Sequence, residues 1–101
     1  MNKPQITILN FGGTNCPKCK AMYPAWNSFS AKYPQYQYKY INLHEVGETE
    51  ANSYRESFGI TALPTFIVLQ DKNVIGGIRG QTMTLSQFET KLLEIINTTI
   101  N

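Results

Sequence analysis

The sequence predicts an α/β domain in which a four-stranded mixed sheet is flanked by three helices. Three observations lead to this fold class: short apolar runs that end at turn residues, apolar residues at helical spacing, and a hairpin signal near the end of the chain. Their order is strand, helix, strand, helix, strand, strand, helix. Strands joined through a helix are parallel, whereas hairpin strands are antiparallel, so the sheet is mixed. At 101 residues, we expect a single domain over residues 1–101.

The first half of the chain predicts a strand, a long helix and a second strand. Residues 5–11 form a short apolar run that stops at Gly12-Gly13, which is typical of a buried strand. Pro17 suits the first position of the helix that follows, and Pro24 is expected to kink that helix. Residues 36–43 are rich in tyrosine and isoleucine and predict the second strand. The apolar stripe of the helix is Cys19, Met22, Trp26, Phe29 and Tyr33.

The second half predicts a helix, a hairpin and a last helix. Residues 48–58 have helical periodicity, and Gly59 is a suitable C-terminal stop. The runs 65–69 and 74–78 bracket Gln-Asp-Lys-Asn, which indicates a hairpin. Thr84-Leu-Ser-Gln87 fits a capping box, so the last helix begins there.

Composition and charge narrow the classes of function. Hydrophobic residues make up 42% and charged residues 16%, as in an ordinary soluble globular protein. The net charge is only +2, and lysine and arginine are scattered, which does not favour a nucleic-acid or membrane partner. No run approaches the roughly 18 apolar residues of a membrane span. We expect a monomer in the cytoplasm, although a chain freed of a cleaved export leader would look the same.

The two cysteines, Cys16 and Cys19, lie one helical turn apart and are joined by Pro-Lys. This spacing at a helix start lets the two sulfurs bond with little backbone movement. The N–H groups and dipole of the helix N-terminus favour a thiolate at Cys16, and Lys18 and Lys20 add positive charge nearby. Cys19 lies one turn inside and is expected to be more buried. The pattern predicts that Cys16 attacks a disulfide and that Cys19 resolves the mixed disulfide.

A zinc site and a structural disulfide are the two other roles that a cysteine pair can have. A zinc site uses four ligands, whereas the chain offers two cysteines and one distant histidine, His44. His44 is more simply interpreted as an exposed loop residue, and we expect no metal. A structural staple across two intervening residues would constrain the unfolded chain little. Redox chemistry is therefore the favoured interpretation of the pair.

From Ile6 to Ile96 the chain resembles the thioredoxin superfamily, and several motifs carry this resemblance. The first is Cys16-Pro-Lys-Cys19 after a strand, with Pro24 five residues past the second cysteine. Gly59-Ile-Thr-Ala-Leu-Pro-Thr65 stands before the hairpin, and Gly80 precedes the last helix. A Cys-x-x-Cys pair alone is a weak signal, but the pair with a downstream Leu-Pro-Thr before a strand is a strong one.

The resemblance implies a thiol–disulfide oxidoreductase that acts on protein disulfides and needs no cofactor. It implies that the Leu63–Pro64 bond is cis and faces the cysteine pair, so that the Leu63 backbone is free to pair with an extended substrate. Asn15 and Pro17, which flank Cys16, would complete the substrate surface. The electron donor would be a reductase such as thioredoxin reductase, or a thiol pool such as glutathione.

The chain departs from the family pattern at several positions. Asn15 stands where thioredoxins usually carry tryptophan, and Pro-Lys replaces the usual Gly-Pro between the cysteines. Asn10 matches a buried aspartate that assists proton transfer, and Tyr40 matches its accompanying lysine. Cys19 would then have to lose its proton without that aspartate beside it. We expect slower or differently pH-dependent resolution.

Two alternative functions stay open. The short form and a proline directly after Cys16 are similar to glutaredoxins, which use glutathione. Gly76-Gly77 resembles their glycine pair but lies two residues too far from Pro64, and Ile78-Arg79 stands where acidic residues would follow. The second alternative is a non-catalytic binding module that presents the surface around residues 12–18 and 62–65.

Overall fold

The computed structural model describes residues 4–100 and contains one four-stranded sheet. The strands are β1 (Ile6–Gly12), β2 (Gln37–Asn42), β3 (Thr65–Gln70) and β4 (Asn73–Arg79). They lie in the order β2-β1-β3-β4. β1 is parallel to β2 and antiparallel to β3, and β3 and β4 form the antiparallel hairpin. The mixed sheet confirms the predicted fold class.

The helices are α1 (Pro17–Ala21), α2 (Tyr23–Lys32), α3 (Glu48–Phe58) and α4 (Leu85–Ile100). The sequence predicts one kinked helix where the structure has α1 and α2, which meet at Met22. Pro24 lies in the first turn of α2 and has no N–H to donate to the Lys20 carbonyl, so the helical ladder breaks there. Within residues 4–100, no helix combines the length and apolar character that crossing a membrane requires.

The ends of α3 and α4 follow the predicted signals. Gly59 ends α3 with a left-handed φ of 63°, and its N–H donates to the Arg55 carbonyl. At the start of α4, the Gln87 N–H donates to Thr84 Oγ1 at 3.1 Å, and the Thr84 N–H donates to Gln87 Oε1 at 3.0 Å. These reciprocal bonds confirm the capping box.

Both faces of the sheet are covered by helices, and side chains alternate between the two faces along β1. Ile6 and Ile8 pack with α2 and α4 on one face, whereas Leu9 and Phe11 pack with α3 on the other. Asn10 follows Ile8 by two residues and therefore lies on the face that α2 and α4 cover.

Candidate active site

The disulfide between Cys16 and Cys19 lies at the start of α1, with the two Cα atoms 5.2 Å apart. Cys16 is the N-cap residue, and its Sγ accepts a hydrogen bond from the Cys19 N–H at 3.3 Å. Its carbonyl accepts the Lys20 N–H at 3.1 Å. Pro17 occupies the first helical turn, where a backbone N–H has no intrahelical partner. The disulfide therefore joins the N-cap of α1 to a residue of its first turn.

The two cysteines differ in their access to solvent. Cys16 is half-buried, whereas Cys19 is only 3% exposed. Pro17, Lys18 and Lys20 are exposed around them. A reactant that approaches from solvent therefore meets Cys16 before it meets Cys19.

A polar loop leads from β1 to Cys16. The Thr14 N–H donates to Nδ1 of His44 at 2.8 Å, and Asn42 Nδ2 donates to Thr14 Oγ1 at 3.3 Å. The His44 N–H in turn donates to Asn42 Oδ1 at 2.8 Å. Asn15 takes a left-handed φ of 55°, a conformation that asparagine tolerates better than most residues. Side chains at the end of β2 and just after it thus hold the loop that precedes Cys16.

A second loop carries Leu63 and the buried Pro64, which are joined by a cis peptide bond. The Gly80 N–H donates to the Pro64 carbonyl at 2.8 Å, and Thr65 Oγ1 donates to the Ala62 carbonyl at 2.7 Å. A Cβ atom placed on Gly13 would lie 3.0 Å from Leu63 Cδ1. The side chain of Leu63 is therefore beside the loop that leads to Cys16, and the structure brings together the two segments that the sequence singles out.

Asn10 and Tyr40, which stand where the family usually carries a buried aspartate and a lysine, are both neutral. Asn10 is 4% exposed and pairs in register with Tyr40 of β2. The Tyr40 ring covers Gly12, since a Cβ there would lie 2.9 Å from the Tyr40 hydroxyl oxygen. Partial burial and a hydrogen bond with Tyr23 raise the pKa of Tyr40 to about 12. Neither Asn10 nor Tyr40 can therefore take up a proton near neutral pH.

The supporting residues lie at the ends of elements around the disulfide. Pro24 lies in the first turn of α2, directly after the break that follows α1. Gly80 follows β4 with a left-handed φ of 67°, and a Cβ on it would lie 2.8 Å from Ala62 Cβ. Gly80 thus meets both a conformational and a steric requirement of the second loop.

The sequence indicates no functional role for His44, yet the structure places it beside the loop that leads to Cys16. It is exposed on a loop, as predicted, but its ring is bonded to Thr14, thirty positions earlier. The parallel pairing of Gly12 with Asn42 creates this contact, and the Leu43 N–H extends it to the Gly12 carbonyl at 2.9 Å. No local pattern reports such a contact. Among residues 4–100, no group of three or more histidine, cysteine or acidic side chains is placed to hold a metal ion.

Comparison with known proteins identifies the class. A match to the family Thioredoxin covers residues 1–94, so the chain belongs to the thioredoxin family. A thioredoxin of Coprinus comatus is 31% identical over 83 residues, covering 82% of this chain and 76% of that protein. The thioredoxin H4-1 of Oryza sativa subsp. japonica is 28% identical over 76 residues, covering 75% of this chain and 54% of the relative.

Solved structures agree with this assignment. The thioredoxin NaTrxh of Nicotiana alata superposes with a TM-score of 0.71 at 27% identity, covering 89% of this chain and 72% of that one. Spinach chloroplast thioredoxin f, at 24% identity and a TM-score of 0.72, shares the fold over 95% of this chain and 77% of its own. The chain spans only 54% to 61% of the length of several curated relatives.

Proposed function

We propose that this chain is a thiol–disulfide oxidoreductase that reduces disulfides of protein substrates through the Cys16–Cys19 pair. One observation carries the proposal: in a member of the thioredoxin family, the two cysteines are bonded at a helix start, with one sulfur accessible and the other buried. Such an arrangement lets one sulfur meet a substrate while the other waits within bonding reach.

The exchange proceeds in two substitution steps. The Cys16 thiolate attacks one sulfur of the substrate disulfide, so that a mixed disulfide forms and one substrate thiolate leaves. Cys19 then loses its proton and attacks the Cys16 sulfur, which releases the second substrate thiolate. The substrate gains two electrons, the Cys16–Cys19 bond forms, and the departing thiolates take up protons. A reductant then returns the pair to the dithiol.

The contacts around Cys16 support its role as the nucleophile. The Cys19 N–H points at its sulfur from 3.3 Å, and a donor in that position stabilises a thiolate. Lys18, exposed two residues after Cys16, adds positive charge nearby. The buried Cys19 sulfur has no such access to an incoming disulfide, which supports its role as the resolving thiol.

The loop around Leu63 supports binding of an extended substrate segment. β3 begins at Thr65, so the Leu63 backbone lies outside the β3 ladder. An extended peptide could pair with it by strand addition, with Asn15 and Pro17 forming the surrounding surface. The Pro64 side chain, expected to contribute to this surface, is buried and can act only through the cis bond that sets the course of the loop. Asn15 and Pro17 are both exposed beside Cys16, as such a surface requires.

The neutral pair Asn10 and Tyr40 supports an unusual route for the Cys19 proton. The pKa of Tyr40 is raised to about 12, and position 10 carries an amide. Neither of these two residues therefore supplies a base for the Cys19 proton. The proton of Cys19 then goes to water or to the substrate thiolate that leaves when Cys19 attacks the Cys16 sulfur. The resolving step is accordingly slower, and its pH dependence differs from that of a family member with an aspartate at this position.

The proposed electron donor is a reductase. The chain itself is proposed to work as a monomer in the cytoplasm. Among proteins of the same fold, thioredoxin f2 has been solved in complex with ferredoxin:thioredoxin reductase, which supports a partner of this general kind. Glutathione is the alternative donor. Supplying either thioredoxin reductase with NADPH, or glutathione with its reductase, decides between the two.

The test of the proposal is reduction of a disulfide-bonded protein such as insulin by the wild type and two single variants. Cys16→Ser should lose at least about a thousandfold in rate, because a serine hydroxyl is not ionised at neutral pH and forms no disulfide. Cys19→Ser should instead accumulate a mixed disulfide between Cys16 and the substrate. Full activity of Cys16→Ser would refute the assignment of the nucleophile, and an inactive wild type would favour a binding module.

A further inference from the structure

The ring of His44 faces both backbone polar groups of Thr14 with a single nitrogen. The Thr14 N–H donates to Nδ1 at 2.8 Å, and the carbonyl oxygen of the same residue lies 3.2 Å from that nitrogen. In a neutral ring with its proton on Nε2, Nδ1 accepts a hydrogen bond from the Thr14 N–H and has no proton to donate to the Thr14 carbonyl. A ring that carries a proton on Nδ1 cannot accept, and it donates to the carbonyl instead. The proton on Nδ1 therefore decides which group of Thr14 is held.

The ring and the Leu63 side chain both lie close to Gly13 of the loop that leads to Cys16. A Cβ atom on Gly13 would lie 2.6 Å from His44 Cε1 and 3.0 Å from Leu63 Cδ1. Only a glycine leaves room for the ring to lie this close to the backbone that leads to Cys16. The contact reaches Cys16 within two residues, through an Asn15 that already adopts a left-handed conformation.

We propose that His44 is a positioning residue for the thiol–disulfide exchange: its neutral ring, acting through Thr14, holds the loop that presents Cys16, and a proton on Nδ1 shifts that loop. The inference rests on the proposed function, because it assigns His44 a task in that reaction. His44 need not touch the substrate, since it acts through the backbone of Thr14.

Few other ionisable groups lie near this ring. The loop Gly12–Asn15 and the segment Ile60–Pro64 contain no ionisable side chain, and Glu45 is the neighbour on the turn of His44 itself. Cys16 and Lys18 follow the loop on α1. In the oxidised protein the disulfide-bonded cysteines do not titrate. A pH response of the loop in that state therefore reports His44 or Glu45, and the variant Glu45→Gln separates those two.

The first test is nitrogen NMR of the oxidised protein, in which His44 is the single histidine of the chain. At pH 8, Nδ1 should resonate as an unprotonated nitrogen and Nε2 as a protonated one. On acidification, the amide signals of Thr14, Asn15 and Cys16 should shift with the same midpoint as the ring, in the wild type and in Glu45→Gln alike. A proton on Nδ1 at pH 8, or a Thr14 amide that ignores the ring, would overturn the inference.

The second test uses three variants whose side chains place an acceptor differently. Asparagine puts Oδ1 where histidine has Nδ1, glutamine puts Oε1 where histidine has Nε2, and leucine has no acceptor. His44→Asn should keep the wild-type kcat/KM for a protein disulfide at pH 8 and lose only the part of its pH dependence that follows the ring, since ionisation of the Cys16 thiol still changes the rate with pH. His44→Gln and His44→Leu should fall by about fivefold, as expected for one lost hydrogen bond.

Equal activity of the Asn and Gln variants, or wild-type activity of His44→Leu, would refute the positioning role. Melting temperatures of all three variants show whether a loss of activity reflects unfolding. An inactive wild type would overturn the proposed function and with it any role in catalysis. A Thr14 amide that does not follow the ring would overturn the His44 inference whatever the activity, so the two failures are distinguishable.

Discussion

The two loops beside the Cys16–Cys19 disulfide are held by different kinds of contact. Residues 13–15 are held by side chains, those of Asn42 and His44. Residues 62–64 depend more on the backbone: the Leu63–Pro64 bond is cis and the Gly80 N–H donates to the Pro64 carbonyl, with one side-chain bond, from Thr65 Oγ1 to the Ala62 carbonyl. A loop held by side chains changes when one side chain is replaced, whereas a loop held by backbone depends on conformations that only certain residues can adopt. Substitutions at the first loop should therefore change mainly the activity, whereas substitutions at the second loop should change mainly the stability of the fold.

The largest effect is expected at the backbone-held loop, from Gly80→Ala. Alanine is strained at the left-handed φ of 67°, and its Cβ would lie 2.8 Å from Ala62 Cβ. We expect a loss of about 1–3 kcal/mol in the free energy of unfolding, measured by chemical denaturation. Activity should fall as well, because the Pro64 carbonyl loses a well-placed donor.

Two further variants separate the causes at Gly80. Gly80→Asn tests the backbone, since asparagine tolerates the left-handed region better than alanine. Adding Ala62→Gly to Gly80→Ala removes the clash and should recover only part of the stability. If Gly80→Ala were as stable as the wild type, the claim that backbone conformation holds this loop would be wrong.

A smaller effect, confined to activity, is expected at the side-chain-held loop from Gly13→Ala. The new Cβ would displace the His44 ring, which lies 2.6 Å from its position, and break the bond to Thr14. We expect kcat/KM to fall by about threefold to fivefold with little loss of stability. In a His44→Ala background the same change should cost less activity, because the ring is already absent and only Leu63 Cδ1, 3.0 Å from the new Cβ, remains to be displaced. Additive losses in the double variant would argue against a shared mechanism.

Asn10→Asp tests the buried position of β1 at which the family usually carries an aspartate. Burial would raise the pKa of the new carboxyl above its usual value of about 3.9. A raised pKa in the folded state means that the variant matches the wild type in acid and loses stability as pH rises through that pKa. The rate of the resolving step should gain a pH dependence over the same range, measured by rapid mixing of the mixed disulfide. Parallel pH profiles in wild type and variant would show that Asn10 does not lie beside Cys19.

The smallest effect is expected far from the disulfide, from Glu89→Gln. The pKa of Glu89 is lowered by its hydrogen bond and ion pair with Lys32, at 2.7 Å, and by the bond that the Tyr33 hydroxyl donates to it. A lowered pKa stabilises the fold above the usual glutamate range, and this contribution disappears as pH falls through the lowered value. Lys32 is 64% exposed, so the gain is small.

Glu89→Gln should therefore lower the melting temperature slightly at neutral pH and leave the curve unchanged in acid. The kcat/KM for a protein disulfide should stay at the wild-type value, which makes the variant a baseline for the two loops. A marked loss of activity would mean that the contacts between α2 and α4 reach the disulfide.

Local patterns in the sequence predicted most of the elements and the reactive pair. Helical periodicity with a terminal glycine located α3, and Thr84 with Gln87 located the start of α4, because both signals act within a few residues. The Cys-x-x-Cys spacing placed Cys16 and Cys19 one turn apart for the same reason. Pro24 marked a disturbance of the helix but did not show that α1 and α2 would separate at Met22.

The sequence by itself determined the order of the elements, the asymmetric cysteine pair and the neutral residues at positions 10 and 40. Only the tertiary structure decided what surrounds them. The bond from Thr14 to His44 and the covering of Gly12 by Tyr40 both depend on the parallel pairing of β1 with β2. Local signals arise from residues that share a turn or a helix face, whereas contacts across about thirty positions exist only once the sheet has set the register of its strands.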